Sequence, residues 1–197
     1  MKLELSDIVD LREYERQRTD FRRSIIELKN LRRVSLGDIL TIVFENRETM
    51  RFQIQEMARA EKMLRDEQIQ TELSIYNSMI PDQGELKATL FLELTTKEML
   101  QEWLPALVGI EKSIYLSVGY GSSNMKIFAR AQDEHEAQLT RGDVTASVHY
   151  IEWSFDVEAQ RLFSGGSVFI GVDHPRYKVH ELLPVETVRS LESDWSA

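Results

Sequence analysis

Residues 45–57 read ENRETMRFQIQEM, and the fold is decided by how this stretch joins its two sides. Before it, residues 39–44 (ILTIVF) form a β-branched run, short enough for a strand and apolar on both faces, as expected inside a sheet. After it, Met50, Ile54, Met57 and Leu64 recur at helical spacing. Asn46 has the chemistry of a helix cap, with Thr49 three residues on and Glu48 in the first turn, where the helix dipole favours negative charge. The stretch is therefore a strand-to-helix corner. Glu61 falls within the apolar stripe, so its carboxylate either pairs with an arginine such as Arg18 or Arg47 or serves as a raised-pKa acid or metal ligand. Arg51, Gln55, Arg59 and Lys62 form a separate polar ridge, either a solvated face or, with Arg51, Gln55 and Arg59 at its centre, a surface for an anion or a partner.

Upstream, Ser6 or Asp7 is placed to cap a helix of about six turns carrying Leu11, Tyr14, Phe21, Ile25 and Leu28 on one side, with Arg32 and Arg33 near its last carbonyls. Downstream, the apolar positions shift register to Ile69, Leu73, Tyr76 and Ile80, which predicts a break near residues 66–68. Residues 81–84 (PDQG) are a turn signal, and the following alternation of Leu86, Ala88, Leu90, Leu92 and Leu94 predicts a strand with one buried face. Residues 97–104 read as a short helix stopped by Pro105. Strands are expected over residues 114–118, 125–130, 146–155 and 168–174, a loop over 132–142 that contains His135, and a closing helix docked by Val185, Val188, Leu191 and Trp195. The pattern as a whole predicts one α+β domain over residues 1–197, a mainly antiparallel sheet of five or six strands packed against long N-terminal helices.

Composition narrows the chemistry. With 42% hydrophobic and 29% charged residues the chain can bury a core. It has no cysteine, so disulfides, thiolate nucleophiles and clusters held by its own thiolates are excluded. No signal-like segment opens it and no apolar run approaches a membrane span, so a cytoplasmic, membrane-free protein is expected. The net charge of −9 argues against general nucleic-acid binding, although residues 12–33 carry eight basic side chains against four acidic ones.

Two strand ends hold the best candidates for chemistry. If the strands over 146–155 and 168–174 are antiparallel neighbours, His149 and Glu152 on one approach Asp173 and His174 on the other. That set would serve as an acid–base pair, or as a site in which His149 and His174 ligate a divalent metal. A core histidine bonded to backbone and a strand-end turn explain the same residues. No nucleophile elbow or phosphate-binding glycine pattern is present. Two functions remain: an interaction or accessory protein, which needs no cofactor, and a small metal-dependent or acid–base enzyme.

The strings ENRETMRFQIQEM, GELKATLFLEL, GIEK, SVHYIEW and DHPRY together resemble a bacterial domain-of-unknown-function family over nearly the whole chain. The resemblance implies a setting near rubrerythrin-like proteins and iron–sulfur proteins similar to heterodisulfide reductase subunits. A redox or peroxide-stress role and a partner of one of these kinds follow as expectations.

Overall fold

The computed structural model describes residues 1–120, 123–132 and 143–195. Among these residues the first sheet holds β1 (Arg33–Leu36), β2 (Leu40–Glu45), β3 (Glu85–Leu92), β6 (Arg130–Ala131) and β7 (Val148–Ser154) in the order β1-β2-β3-β7-β6. The second holds β4 (Ile114–Tyr120), β5 (Ser123–Phe128), β8 (Ser167–His174) and β9 (Tyr177–Leu182) in the order β5-β4-β8-β9. All pairings are antiparallel. The helices are α1 (Leu11–Arg32), α2 (Arg47–Ala60), α3 (Asp66–Tyr76), α4 (Lys97–Ala106), α5 (Val157–Gly165) and α6 (Val185–Glu192). The α+β class is as expected, but the strands divide into two sheets. Residue Ser122 and most of the loop expected over 132–142, with His135, lie outside the described residues.

Period-2 alternation builds the layers. Leu40, Ile42 and Phe44 of β2, Leu86, Ala88 and Leu90 of β3 and Ile151 and Trp153 of β7 face one way. They meet Ile114, Leu116, Val118, Val168, Ile170 and Val172 of the second sheet in one core, with Phe44 and Trp153 5.6 Å apart at its centre. The opposite face of the first sheet lies toward the helices, and a second cluster forms around Met50, Ile54, Ala58, Ile69 and Leu73. The order is helices, sheet, sheet. Because β3 is central and covered on both sides, Lys87 and Thr89 are buried along with its leucines, where the alternation predicted a single buried face.

Several local expectations change with tertiary context. Asp10, rather than Ser6 or Asp7, caps α1 by accepting from Glu13 N–H at 2.9 Å. Asn46 and Thr49 form a reciprocal capping box, as their spacing predicts. α2 stops at Ala60, and Lys62 takes the left-handed backbone conformation (φ 53°), so Glu61 and Leu64 turn to solvent. Arg18 pairs with Glu56 and Arg47 with Asp7, leaving Glu61 outside the seam. α4 runs through Pro105 to Ala106. β1 and β9 are flanking strands; burial alternates along β1, whereas the last three residues of β9 are all exposed. Gly37, at φ +65°, makes the β1–β2 turn, and the Tyr177 hydroxyl donates to the adjacent Leu36 carbonyl at 2.8 Å in the space a side chain on Gly37 would occupy.

Arg32 departs furthest from its expected place beside the last carbonyls of α1. It is completely buried. Its Nε donates to Phe44 O at 3.1 Å and Nη1 to Ser190 O at 3.0 Å, while Nη2 reaches Glu45 O at 3.5 Å and pairs with Asp194. Asn46 Nδ2 adds a bond to Asp194 at 3.3 Å. Burial raises the Asp194 pKa even against the attraction of Arg32.

Candidate functional site

The polar ridge on α2 is the seam between α2 and α1. Arg51 Nη2 meets Glu48 Oε2 at 2.8 Å, and its guanidinium carbon stands 4.7 Å from the Phe21 ring centroid. Gln55 is buried; its Oε1 accepts from Val9 N–H at 2.8 Å and its Nε2 donates to Val9 O at 3.2 Å, which ties the N-terminal segment to α2. Arg59 Nε donates to Glu15 Oε1 at 2.6 Å. One step around the helix, Glu56 receives Arg18 Nε at 2.8 Å, Arg18 Nη2 at 2.9 Å and the Tyr14 hydroxyl at 2.6 Å. The Arg18 guanidinium, aided by the Tyr14 hydroxyl, holds the Glu56 carboxyl down at about 2 against the opposing effect of burial. Burial and the bond to Glu56 push the Tyr14 hydroxyl up. A cleft of about 330 Å³ remains between the helices, but Asp7 and Asp20 line it together with Arg16 and Arg51, so its charge is mixed.

The histidine and carboxylate candidates are carried apart. β7 pairs with β3 and β6, whereas β8 pairs with β4 and β9, so the expected neighbour relation between them is corrected: α5 crosses from one sheet to the other. His149 faces the core opposite Leu90, and its Nε2 lies 2.9 Å from both Thr145 Oγ1 and Ala146 O. Glu152 points to the other face of the same strand, 3.5 Å from Lys87 Nζ and 3.8 Å from Arg130 Nη2. His174 accepts Arg176 N–H on Nδ1 at 3.2 Å, which leaves Nε2 to donate to Val108 O at 3.2 Å, a neutral ring satisfied by backbone. Asp173 pairs with Lys178 at 2.6 Å on the outer face of the second sheet, and that bond lowers its pKa. Among the described residues, no group of three or more His, Asp or Glu is arranged to hold a metal ion.

Sequence reasoning missed the outer face of the second sheet. In register across it run Lys126, Ser117, Phe169 and Leu182, then Phe128, Tyr115, Gly171 and His180. The Tyr115 ring lies across Gly171, where a Cβ would meet it at 2.5 Å. Lys126 Nζ sits 4.2 Å from the centroid of the same ring, and Phe128 packs beside it at 5.6 Å. Phe128 is 46% and Leu182 57% exposed, and Lys126, Lys178 and His180 are also exposed. A shallow cavity of about 260 Å³ opens between Tyr115, Phe169 and His180. The signal in the sequence was the second alternating set on β4 and β8, Tyr115, Ser117 and Phe169, facing away from the core.

Three layers with an open aromatic sheet face define a class of α+β protein rather than a known catalytic centre. The chain belongs to the family described as "Protein of unknown function (DUF3501)", whose model matches residues 2–195. It is also similar to a solved protein described as a novel protein of unknown function from Burkholderia pseudomallei, a crystal structure at 1.90 Å resolution. The two are 30% identical, the match covers 98% of this chain and 99% of that one, and the TM-score is 0.89. No curated protein matches the chain. Among the described residues, no helix is long and apolar enough to cross a membrane.

Proposed function

We propose that this protein works in the cytoplasm by binding a protein partner, as an accessory protein of redox or peroxide-stress metabolism, and that the outer face of the second sheet is the docking surface. The observation that carries this reading is the exposure of Phe128 and Leu182 on either side of Tyr115 and Phe169 on one continuous sheet face. Exposed apolar side chains grouped with aromatics mark interaction surfaces, whereas scattered ones do not. Lys126 and Lys178 outnumber the single Asp173 that pairs with Lys178 on this face, on a chain of net charge −9, which fits a partner with an acidic surface. The family resemblance supplies the partner class, an iron–sulfur or rubrerythrin-like protein.

The test is calorimetric titration of a purified rubrerythrin-like protein and a purified heterodisulfide-reductase-like iron–sulfur protein against the wild type and a Phe128→Glu, Leu182→Glu variant. One of the two partners should bind with a Kd of about 1 to 100 μM, the range of transient interfaces of modest area, and the variant should lose that binding while keeping its unfolding midpoint. Absence of binding by both partners, or equal binding to the variant, refutes the reading.

A further inference from the structure

We infer that the cavity between the helical layer and the first sheet is a binding site for a small organic cation, a protonated amine held by the carboxylate of Glu45. The cavity measures about 310 Å³, at the small end of ligand pockets, and lies away from the docking face. Glu45, the last residue of β2, forms its polar floor and is 4% exposed. One carboxylate oxygen accepts from the Thr89 hydroxyl at 2.8 Å. The other, Oε2, is buried and has no hydrogen-bond partner among the described residues. Native proteins satisfy nearly all buried polar atoms, and a carboxylate oxygen without a donor is among the costliest exceptions.

The neighbouring cations do not resolve the exception. Arg32 approaches the backbone oxygen of Glu45 and spends its charge on Asp194. Lys29 lines the cavity but makes no ion pair among the described residues. The remaining wall is suited to a soft cation: Tyr76, Phe91 and Tyr150 line it with aromatic rings, and Met50 and Met79 with adaptable thioethers. Burial, with Tyr76 and Glu45 close by, raises the Tyr150 pKa, so its ring is a neutral part of the wall. A metal ion is a poorer match, since a single carboxylate and no group of three His, Asp or Glu are present among the described residues. A buried carboxylate lining the cavity disfavours anions.

Tyramine and 4-hydroxyphenylpropionate share a ring and differ in charge, which makes them suitable probes. In calorimetric titration tyramine should bind saturably at one site and 4-hydroxyphenylpropionate at least tenfold more weakly. Glu45→Gln, which keeps the shape and the Thr89 bond, should weaken tyramine at least tenfold. Gln53→Trp, which fills the cavity from α2 without touching the carboxylate, should abolish it and keeps the test decisive if the first variant folds poorly. Lys29→Met should tighten tyramine by removing a like charge. Stronger binding of the anion, tyramine binding unchanged by both Glu45→Gln and Gln53→Trp, or failure of both tyramine and the smaller propylamine to bind overturns the inference.

Discussion

Replacing Arg32 with Met removes a completely buried guanidinium from the mostly buried Asp194 carboxylate and from three carbonyl oxygens at once. In the wild type the guanidinium serves Phe44 O, Glu45 O, Ser190 O and Asp194. Methionine fills much of the same volume but donates nothing. Breaking a buried ion pair from one side costs about 3 to 5 kcal/mol, which for a chain of this size lowers the melting temperature by roughly 6 to 20 °C. The deficit should depend on pH with a definite sign. Burial already raises the Asp194 pKa, and losing Arg32 raises it further. The folded state then binds a proton that the unfolded state releases, so stability falls as pH rises from the ordinary carboxylate range through the raised value. Urea unfolding at pH 7.5 and pH 5 is the assay: the cost of Arg32→Met relative to wild type should be greatest at the higher pH and shrink at the lower. A cost below about 1 kcal/mol at pH 7.5, typical of an exposed pair, would show that the network is not buried in solution.

Three further perturbations test other parts of the structure. Glu56, held at about 2, contributes stability that is complete above its ordinary carboxylate pKa and is lost as pH falls from there toward about 2. Since the side chain is 27% exposed, the loss should be about 1 to 3 kcal/mol, and Arg18→Met should move the Glu56 titration upward in a carboxyl-carbon NMR experiment. Gln55→Ala should cost roughly 1 to 3 kcal/mol through two lost bonds to Val9, and hydrogen exchange at the Val9 amide should accelerate by more than at neighbouring amides. Gly171→Ala should displace the Tyr115 ring and cost about 1 to 3 kcal/mol by overpacking, read as a lower unfolding midpoint together with changed tyrosine fluorescence; an unchanged midpoint counts against the ring position.

The parts of the fold that were legible in the sequence are those decided within a few residues. The capping box of Asn46 and Thr49 is an i, i+3 device, and the alternation on β3 needs only its own eight residues. The division into two sheets is a matter of long-range pairing, and α5 offers no local sign that it crosses from one to the other. His149 and His174 were read correctly as strand residues with a core-facing side, yet the assumed neighbour relation between β7 and β8 carried the site built on them. Arg32 read as a cation for the last carbonyls of its own helix because Asp194 lies far away in sequence. Of the ridge of Arg51, Gln55 and Arg59, Gln55 alone is buried, against the N-terminal segment, while Arg51 and Arg59 pair with Glu48 and Glu15 and stay partly or fully exposed, a distinction that no local pattern carries. Glu45 drew no notice beyond its place in the corner, since nothing in a sequence marks an acceptor whose donor fails to arrive.

The corner where β2 becomes α2 also couples the cavity to a distant segment. Arg32 grips the carbonyls of Phe44 and Glu45, and its own place depends on Ser190 in the last turn of α6 and on Asp194 just beyond it. Asn46, which starts α2, holds the same aspartate. Anything that peels away the turn at Ser193–Trp195 loosens the strand end that aims the Glu45 carboxylate. Occupancy of the cavity should in turn protect that turn from proteolysis, because free energies of coupling run equally in both directions.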